Sequence, residues 1–485
     1  MRVQTLYLVD PEKRLIPFMV NVLGMILAVL DCRQNLPAYS KALQSASMKP
    51  TSSDTAQTSF LLPDLEKQLD PRRLLYRLAQ AIDWKGFEKT FGALYCTEGR
   101  PALPIRRMVG LLLLKSLRNL SDEEVVEFWS ESAYAQYFCG EREMRWGTPC
   151  DPSELTHFRK RIGKGGAERI LASTIELHGE KAKEKEVVVD TTVQEKNIAF
   201  PTDTKLAAKI VRGGVKLANK HGVQLRQSFE RTVPKLLAAQ RGRRTKGGAA
   251  RARKAARRLK TIAGQVVRQL DAGLPTETKD RRWLETAVRV LNQKPKDGDK
   301  IYSLHEPEVY CMSKGKEHKK YEFGAKASVV VGKNQGVILG AYSLPKNDYD
   351  GHALEPTLEQ VERVSGYRPA VAIGDKGFRG KTHCGTTEVV TPGRPKKNAT
   401  VYEKRKAKAR FRRRAAIEPR IGHLKSDFRL GRNFLKGQVG DAINLLLAAA
   451  ASNLSLWMRQ VLFALVFAIQ KIARERGVFR APLPT

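Results

Sequence analysis

Two aspartates directly follow short apolar runs, at positions where an isolated carboxylate is able to hold a metal ion. Asp190 follows Val187-Val188-Val189, and Asp375 follows the apolar segment 369–374. Ligands of open α/β sheets collect at the carboxyl ends of strands, and a carboxylate leaving a buried strand needs a partner such as a divalent cation. Each aspartate also has a structural alternative, because an Asp after a strand often caps the next helix.

A third carboxylate lies between two cationic residues further along the chain. Arg414, Glu418 and Lys425 are four and seven residues apart. On a continuous α-helix, these steps rotate by about 400° and 700°, which predicts all three side chains within about 40° on one face. Pro419 removes a helical amide, so either the helix bends there or Glu418 stands at the start of a new helix with Pro419 at its first position. The alternative is a surface face of salt bridges.

These residues need a sheet and helices to position them. The spacing of apolar residues predicts that the second half of the chain is a mixed α/β domain. This domain begins with the strand before Asp190, and about a hundred mostly helical residues are inserted soon after that strand. After the interruption we expect strands at 321–331 and 336–342 as a hairpin, a helix at 352–364, a strand at 369–374, a helix around Glu418 and apolar C-terminal helices.

The N-terminal half is predicted to be helical. A helix is expected over 104–120, and Ser121 with Glu124 matches a capping box before a second helix through Phe138. Pro152 opens a further helix, which the glycines at 163–166 interrupt. Short helices at this spacing form either a helix-turn-helix DNA reader or an ordinary bundle.

The net charge of +37 is concentrated in two segments: residues 201–300 carry +18 and residues 394–436 carry +13. Within the first, the run Arg241–Lys260 has ten basic residues and no acidic one. It predicts a basic helix that contacts phosphates, the alternative being a solvated linker. The candidate DNA contacts there are Arg251, Arg253, Lys254, Arg257 and Arg258.

Cysteine usage and the apolar segments exclude other classes. The six cysteines form no C-x-x-C pair, which argues against a disulfide scaffold and structural zinc and suits a reducing cytosol. The apolar stretch 15–30 is too short for a membrane span, and polar residues divide 442–470, so the latter is predicted to form two soluble core helices. The expected polyanion is therefore nucleic acid.

Phe411-x2-Arg414-x3-Glu418-x6-Lys425 resembles the Y-x2-R-x3-E-x6-K signature of one branch of the DDE transposases of bacterial insertion sequences, the IS-four and IS-five-like superfamily. Phe411 stands in place of the tyrosine and lacks its hydroxyl. The resemblance extends to segments 189–193, 321–324 and 374–380 and to the helical N-terminal region, so that it spans roughly 64–458.

The resemblance implies an RNase H-like catalytic domain in which Asp190, Asp375 and Glu418 are the catalytic residues and metal ligands. They would hold two Mg²⁺ ions, with Mn²⁺ able to substitute, and no organic cofactor is implied. Arg414 and Lys425 would contact DNA. The implied partners are the terminal inverted repeats of an element and its target DNA, bound by a homodimer. The expected location is the cytoplasm, in association with the nucleoid and without a membrane.

The resulting fold class is α+β, with four expected segments: an N-terminal extension and linker at 1–63, a helical DNA-end-binding domain at 64–182, an RNase H-like domain at 183–458 with a basic helical insertion at about 203–297, and a tail at 459–485.

Two other functions stay open. One is a structure-specific nuclease that uses the same carboxylates, and the other is a non-catalytic DNA-binding relic of a transposase.

Overall fold

The computed structural model describes residues 64–96, 98, 101–275, 280–294, 296–313, 320–393 and 400–475. The predicted N-terminal extension at 1–63 and the last residues of the predicted tail lie outside this part of the chain. The described residues fall into two compact units: one holds 84–106, and the other holds 64–83 and 107–475.

The chain from 64 to 182 is helical, as predicted. Its helices are α1 (Leu65–Gln68), α2 (Leu74–Ala81), α3 (Trp84–Gly92), α4 (Ile105–Leu117), α5 (Asp122–Glu131), α6 (Ala133–Phe138) and α7 (Pro152–Glu176), followed by a 3-10 turn at Gly179–Ala182. In the smaller unit, the rings of Phe87 and Phe91 stack along α3 with centroids 5.7 Å apart.

Local signals in this region behave largely as expected. Ser121 and Glu124 form the capping box that opens α5. The predicted continuous helix through Phe138 is wrong, because Ser132 ends α5 and accepts a hydrogen bond from the amide of Ala135 as the cap of α6. The predicted interruption of α7 is confirmed at Gly163, which has a positive φ of 58°.

The described residues of the larger unit form a mixed sheet of seven strands. They are β1 (Glu186–Glu195), β2 (Tyr310–Ser313), β3 (Tyr321–Gly332), β4 (Ile338–Ser343), β5 (Val371–Ile373), β6 (His383–Cys384) and β7 (Thr387–Val390), in the order β2-β3-β1-β5-β7-β6, with β4 beside β3. β1 is antiparallel to β3 and parallel to β5. The predicted hairpin is β3–β4, and the predicted helix after it is α12, introduced below.

Between β1 and β2, the part of the predicted insertion that the structure describes forms four helices: α8 (Asp203–His221), α9 (Thr232–Ala238), α10 (Gly248–Gly273) and α11 (Arg281–Asn292). They enclose their own hydrophobic core, which includes Ile210, Leu259 and Leu284. A Cβ on Gly213 would lie 2.5 Å from the ring of Trp283, so this glycine permits α8 and α11 to approach closely.

The remaining helices are α12 (Asp350–Ser365), a 3-10 turn (Lys376–Phe378), α13 (Val401–Arg414), α14 (Ile417–Ser426) and α15 (Gly437–Glu475). The predicted pair of C-terminal helices is a single helix, α15. Its segment Gly437–Ala468 is long and apolar enough to cross a membrane by length and composition, but 78 % of its most apolar window is buried inside the protein.

The polar residues of α15 have partners inside the fold, which explains how the helix continues through them. The side-chain amide of Asn453 donates to the carbonyl of Ile338 at 2.9 Å, and its oxygen accepts from the Ile338 amide at 2.8 Å. The amide of Asn444 donates to the side chain of Gln194 in β1 at 2.7 Å. A buried polar group is stable when it is hydrogen-bonded, so these residues attach α15 to the sheet.

A buried ionic cluster joins the end of β1 to α15. The ammonium of Lys196 lies 2.8 Å from Asp441 Oδ1 and 3.1 Å from Glu306 Oε2. All three side chains are at least nine-tenths buried. Burial raises the pKa of Asp441 to about 6 even beside this lysine. The charge of Lys196 therefore offsets two carboxylates that have little access to water.

We expect Lys196→Met to lower the free energy of unfolding by about 3 to 5 kcal/mol at pH 7.5, because it leaves two buried carboxylates without their cation. Urea denaturation followed by circular dichroism measures the effect. Lys181→Met, at an exposed position, is the control and should change stability by less than about 0.5 kcal/mol. Equal stability of the two variants would contradict the role of the cluster.

Candidate active site

Asp190 and Asp375 occupy equivalent positions on neighbouring parallel strands. Glu186–Val188 of β1 pairs with Val371–Ile373 of β5, and each aspartate follows the last paired residue of its strand by two positions. Neighbouring strands lie about 4.8 Å apart. The two aspartates therefore leave the paired segment of β1 and β5 at the same level of the sheet.

The prediction that β1 ends at Asp190 is wrong, because the strand continues to Glu195. The continuation pairs with β3 alone, over Glu195 opposite Gly324 up to Asp190 opposite Val329. β5 ends at Ile373, so β1 does not pair with β5 beyond Val188, and further along the carbonyl of Glu195 accepts a hydrogen bond of 2.7 Å from the amide of Asn433. Asp190 therefore still pairs with β3 but lies beyond the last residue of β1 that pairs with β5.

Asp375 also serves the local turn. Its carboxylate accepts a hydrogen bond of 2.8 Å from the amide of Gly377 and caps the short 3-10 turn that follows. Both interpretations of this residue, cap and site carboxylate, are thus compatible with its geometry. A Cβ on Gly374 would lie 2.7 Å from the ring of Phe378, so glycine is required before the aspartate by close packing.

Arg414 and Glu418 are on different helices. α13 ends at Arg414, and α14 begins at Ile417 with Ala416 as its cap. The prediction of one continuous face is therefore wrong; a new helix does begin near Glu418, but Pro419 is not at its first position. Pro419 is the third residue of α14, within the first turn, where backbone amides have no partner inside the helix.

Arg414 nevertheless lies between two of the predicted site carboxylates. Its Nη2 atom is 3.7 Å from Asp190 Oδ2 and 3.9 Å from Glu418 Oε1. Arg414 is mostly buried, whereas the Glu418 side chain is 69 % exposed. These distances exceed those of hydrogen bonds, so the guanidinium neutralises both carboxylates without being locked to either.

Lys425 lies elsewhere, at the other end of α14. Its ammonium is 3.9 Å from Glu322 Oε1 of β3. Glu322 is buried, and its second carboxylate oxygen has no hydrogen-bond partner among the described residues. Lys425 is therefore placed beside a buried carboxylate, and the structure does not place it with Arg414.

The sequence interpretation missed Asp350, the first residue of α12. Its Oδ1 atom accepts a hydrogen bond from the Thr191 hydroxyl at 3.0 Å and lies 2.6 Å from the Lys326 ammonium. The sequence predicts that this helix begins at His352, whereas it begins at Asp350. The sequence feature that could have identified Asp350 is an acidic residue just before the predicted start of a helix. Asp350 thereby joins α12 to the residue that follows Asp190.

The acidic residues of the candidate site are Asp190, Asp350, Asp375 and Glu418. Their carboxylate oxygens are the type of ligand that a hard divalent cation prefers. A Cβ on Gly377 would lie 2.6 Å from Asp350 Oδ2 and 2.9 Å from Asp375 Oδ1, so glycine at this position permits both carboxylates to approach the backbone closely. Within the described part of the chain, however, no three His, Cys, Asp or Glu side chains come close enough together to hold one ion. Phosphate or water oxygens would complete the coordination.

Two protein-family models match this sequence. A transposase domain (DUF772) matches residues 63–161, and a transposase DDE domain matches residues 297–454. The chain belongs to the DDE transposases. This family consists of metal-dependent enzymes that cleave and transfer DNA strands, and the mixed α/β fold is consistent with that assignment.

An uncharacterised protein of Rhizobium meliloti, ORF8 in the nfe locus, is 43 % identical over 202 residues, which are 41 % of this chain and 97 % of that protein. No solved structure matches the chain.

The matched DDE segment holds most, but not all, of the candidate site. Asp375, Glu418 and Asp350 lie inside 297–454, whereas β1 with Asp190 precedes it and is separated by the insertion. The sheet restores the connection, because β1 lies between β3 and β5. The candidate carboxylates of this transposase therefore come from two sequence segments.

The insertion presents its basic residues to solvent. Arg251, Arg253, Lys254, Arg257 and Arg258 are all exposed on α10, while Ala252, Ala255 and Leu259 are buried on its other side. The prediction of one basic helix from Arg241 is only partly correct, because residues 241–247 form turns and α10 begins at Gly248. The exposed basic face is consistent with phosphate contact.

A second arginine attaches α13 to the sheet. Arg410 donates to Glu186 Oε1 at 2.5 Å, and Lys333 donates to the other oxygen of the same carboxylate. The hydrogen bond from Arg410 and the contact with Lys333 lower the pKa of Glu186 to about 2, against the penalty of partial burial. Glu186 and Asp190 thus engage arginines one helical turn apart, Arg410 and Arg414, which sets the position of α13 over β1.

We expect Glu186→Gln to lower the free energy of unfolding by about 1 to 3 kcal/mol at pH 7. Because the pKa is depressed in the folded state, this stabilisation is present above about pH 4.5 and is lost as the pH falls towards 2. Denaturation of both proteins between pH 7 and pH 3 measures the difference. A difference that stayed constant over this range would contradict the ionic origin.

Proposed function

We propose that this transposase cuts DNA at the ends of its own element and joins the ends to target DNA, with Asp190, Asp375 and Glu418 as the catalytic carboxylates. The supporting observation is the parallel register of β1 and β5, whose last paired residues, Val188 and Ile373, each precede one of the two aspartates by two positions. Glu418 joins them through Arg414, the guanidinium it shares with Asp190. We further propose that the sheet is RNase H-like.

The three carboxylates would hold two Mg²⁺ ions, with Mn²⁺ able to substitute. When bound, the ions supply activation of an attacking water or 3′-hydroxyl oxygen and stabilisation of the leaving 3′-oxygen. The chain's own contribution is to place the oxygen ligands. β1 and β5 fix Asp190 and Asp375, and the amide of Gly377 fixes the orientation of the Asp375 carboxylate.

Arg414 and Lys425 are the proposed backbone contacts near the site. Arg414 pairs with its carboxylates at distances near 4 Å, so a phosphate is able to take its remaining donors in a bidentate contact. Lys425, beside the buried Glu322, would act as a point charge towards DNA. Phe411 supplies no hydroxyl at the position where the family signature has one.

DNA is the partner that the family implies. We propose that the helical region 64–182 binds the terminal inverted repeats and that α10 contacts the DNA backbone with Arg251, Arg253, Lys254, Arg257 and Arg258. Because two element ends must be joined together, we propose a homodimer on DNA, in the cytoplasm and associated with the nucleoid.

Two alternatives are separable by assay. An RNase H-like nuclease would cleave DNA through the same carboxylates but would not join ends to a target. A non-catalytic relic would bind DNA without cleaving it. A transposase joins labelled element-end oligonucleotides to a target, whereas a nuclease does not. Mg²⁺-dependent cleavage distinguishes both enzymes from a non-catalytic relic.

We expect Asp190→Asn, Asp375→Asn and Glu418→Gln each to reduce Mg²⁺-dependent strand cleavage by about a thousandfold or more, because each removes a charged metal ligand worth several kcal/mol in the transition state. DNA affinity should change little, since carboxylates repel phosphate. Gel-shift and cleavage assays on the same samples measure both quantities. Glu359→Gln, at an exposed position on α12, is the control. Cleavage at the wild-type rate in any one variant would remove that residue from the proposed site.

We expect replacement of all five basic residues of α10 by Gln to flatten the dependence of log K on log salt, by about 0.9 for each phosphate that the protein no longer neutralises. Fluorescence anisotropy of duplex DNA between about 50 and about 200 mM salt measures this slope. The control replaces the four arginines by Lys, which keeps the charge and should keep the slope. An unchanged slope in the Gln variant would identify α10 as a solvated helix.

A further inference from the structure

The insertion contains a groove between α10 and α11 that the proposed function does not use. Its volume is about 600 Å³, which is within the range of ligand-binding pockets. Residues three or four positions apart on α10 share one face of the helix and line the first wall: Arg257, Lys260, Gly264, Arg268 and Asp271. The second wall comes from the last two turns of α11 and includes Val288 and Leu291.

Gly264, in the middle of α10, is not explained by packing against another helix. Among the described residues, and apart from the nearby backbone of its own helix, a Cβ there would meet only Arg268 Nη1, at 3.3 Å. Gly213 and Gly214 of α8 differ, because a Cβ on either would lie 2.5 Å from a side chain of a neighbouring helix. Glycine is disfavoured in a helix interior relative to alanine. Its effect at position 264 is to deepen the groove.

The wall formed by α10 is positively charged. Arg257, Lys260 and Arg268 are exposed, and none of them pairs with a carboxylate among the residues that the structure describes. The acid of the same stripe, Asp271, lies 2.6 Å from Nη1 of Arg281, so its charge is already compensated. This wall therefore attracts an anion.

The wall formed by α11 contributes apolar surface and one amide. Val288 is 39 % exposed, Leu291 is half-buried, and Asn292 lies at the end of the helix. A ligand that suits both walls has a phosphate next to a planar group with hydrogen-bonding edges, which is the chemistry of a nucleotide. In a duplex the faces of each base are covered by its neighbours, whereas an unpaired nucleotide presents its base to apolar side chains and its phosphate to cations.

We propose that this groove binds an unpaired nucleotide of a single DNA strand, with the phosphates on the three cations of α10 and the base in the space over Gly264. Enzymes that cleave and transfer DNA strands generate such nucleotides. The inference goes beyond the proposed function, because the ligand is not duplex DNA and the groove contains none of the three proposed catalytic carboxylates.

The test measures the binding of three fluorescent probes to the full-length protein by anisotropy: an oligothymidylate strand, an abasic strand of the same length and a duplex. The two strands carry the same phosphates, so we expect the wild type to bind oligothymidylate about 10-fold more tightly than the abasic strand. Gly264→Leu fills the groove without changing the charge. It should lose this preference for bases and keep its affinity for the duplex.

The matched control for Gly264→Leu is Ala249→Leu. It adds the same side chain at an exposed position of α10, about 22 Å along the helix and outside the groove, and should behave like the wild type.

A second variant, Arg268→Gln, removes a cation that is not among the proposed duplex contacts. For oligothymidylate, the slope of log K against log salt should fall by about 0.7, the value for one phosphate of a single strand, and the slope for the duplex should not change. Arg282→Gln removes an exposed charge of α11 outside the groove and should leave both slopes unchanged. Circular dichroism identifies a variant that fails to fold, and the other variant then decides.

Loss of the preference for bases in Gly264→Leu, with Ala249→Leu unchanged, supports the inference. The same preference in Gly264→Leu as in the wild type overturns it, and so does an equal loss of affinity for strand and duplex. Displacement of oligothymidylate by micromolar thymidine monophosphate overturns the assignment to a DNA strand and identifies a free nucleotide as the ligand. DNA cleavage enters none of these measurements, so a negative result leaves the proposed catalytic function standing.

Discussion

The structure depends on the crowding of negative charge where β1 and β5 part. Asp190 and Asp375 each follow the last residue that pairs β1 with β5 by two positions, and Asp350 of α12 accepts a hydrogen bond from Thr191, the residue after Asp190. Like charges in one region are costly unless each has its own compensation. Here Arg414 approaches Asp190, the amide of Gly377 serves Asp375, and Lys326 with Thr191 serves Asp350.

Each compensating group comes from a different element, so the charges also determine how the elements are arranged. Arg410 and Arg414 fix α13 over β1 through Glu186 and Asp190. At the far end of the same strand, Lys196 joins β1 to α15 through Asp441. β1 is thus the strand from which both the site and the surrounding helices are positioned, although the matched DDE segment does not include it.

The sequence predicts correctly those features that depend on interactions between residues close together in the chain. The hairpin of β3 and β4, the strand before Asp375 and the cap at Ser121 follow from alternation and capping chemistry within a few residues. The extension of β1 to Glu195 escapes prediction because it depends on pairing with β3, more than a hundred residues later. Asp350 escapes it for the same reason, since its contact with Thr191 spans 159 residues of sequence. The polar residues of α15 predict a division of the helix, but Asn453 is paired with the backbone of Ile338 in β4.

The place of the insertion has a consequence for how the chain folds during synthesis. β1 is complete at Glu195, but its parallel partner begins at Val371. At translation rates of about 5 to 20 residues per second, the β5 edge of β1 waits roughly 10 to 35 s for that partner. The insertion, whose core is complete by Ile301, is synthesised within this interval and is able to fold on its own contacts. The mixed sheet is therefore completed only after the insertion has been synthesised, and until then β1 presents an unpaired strand edge.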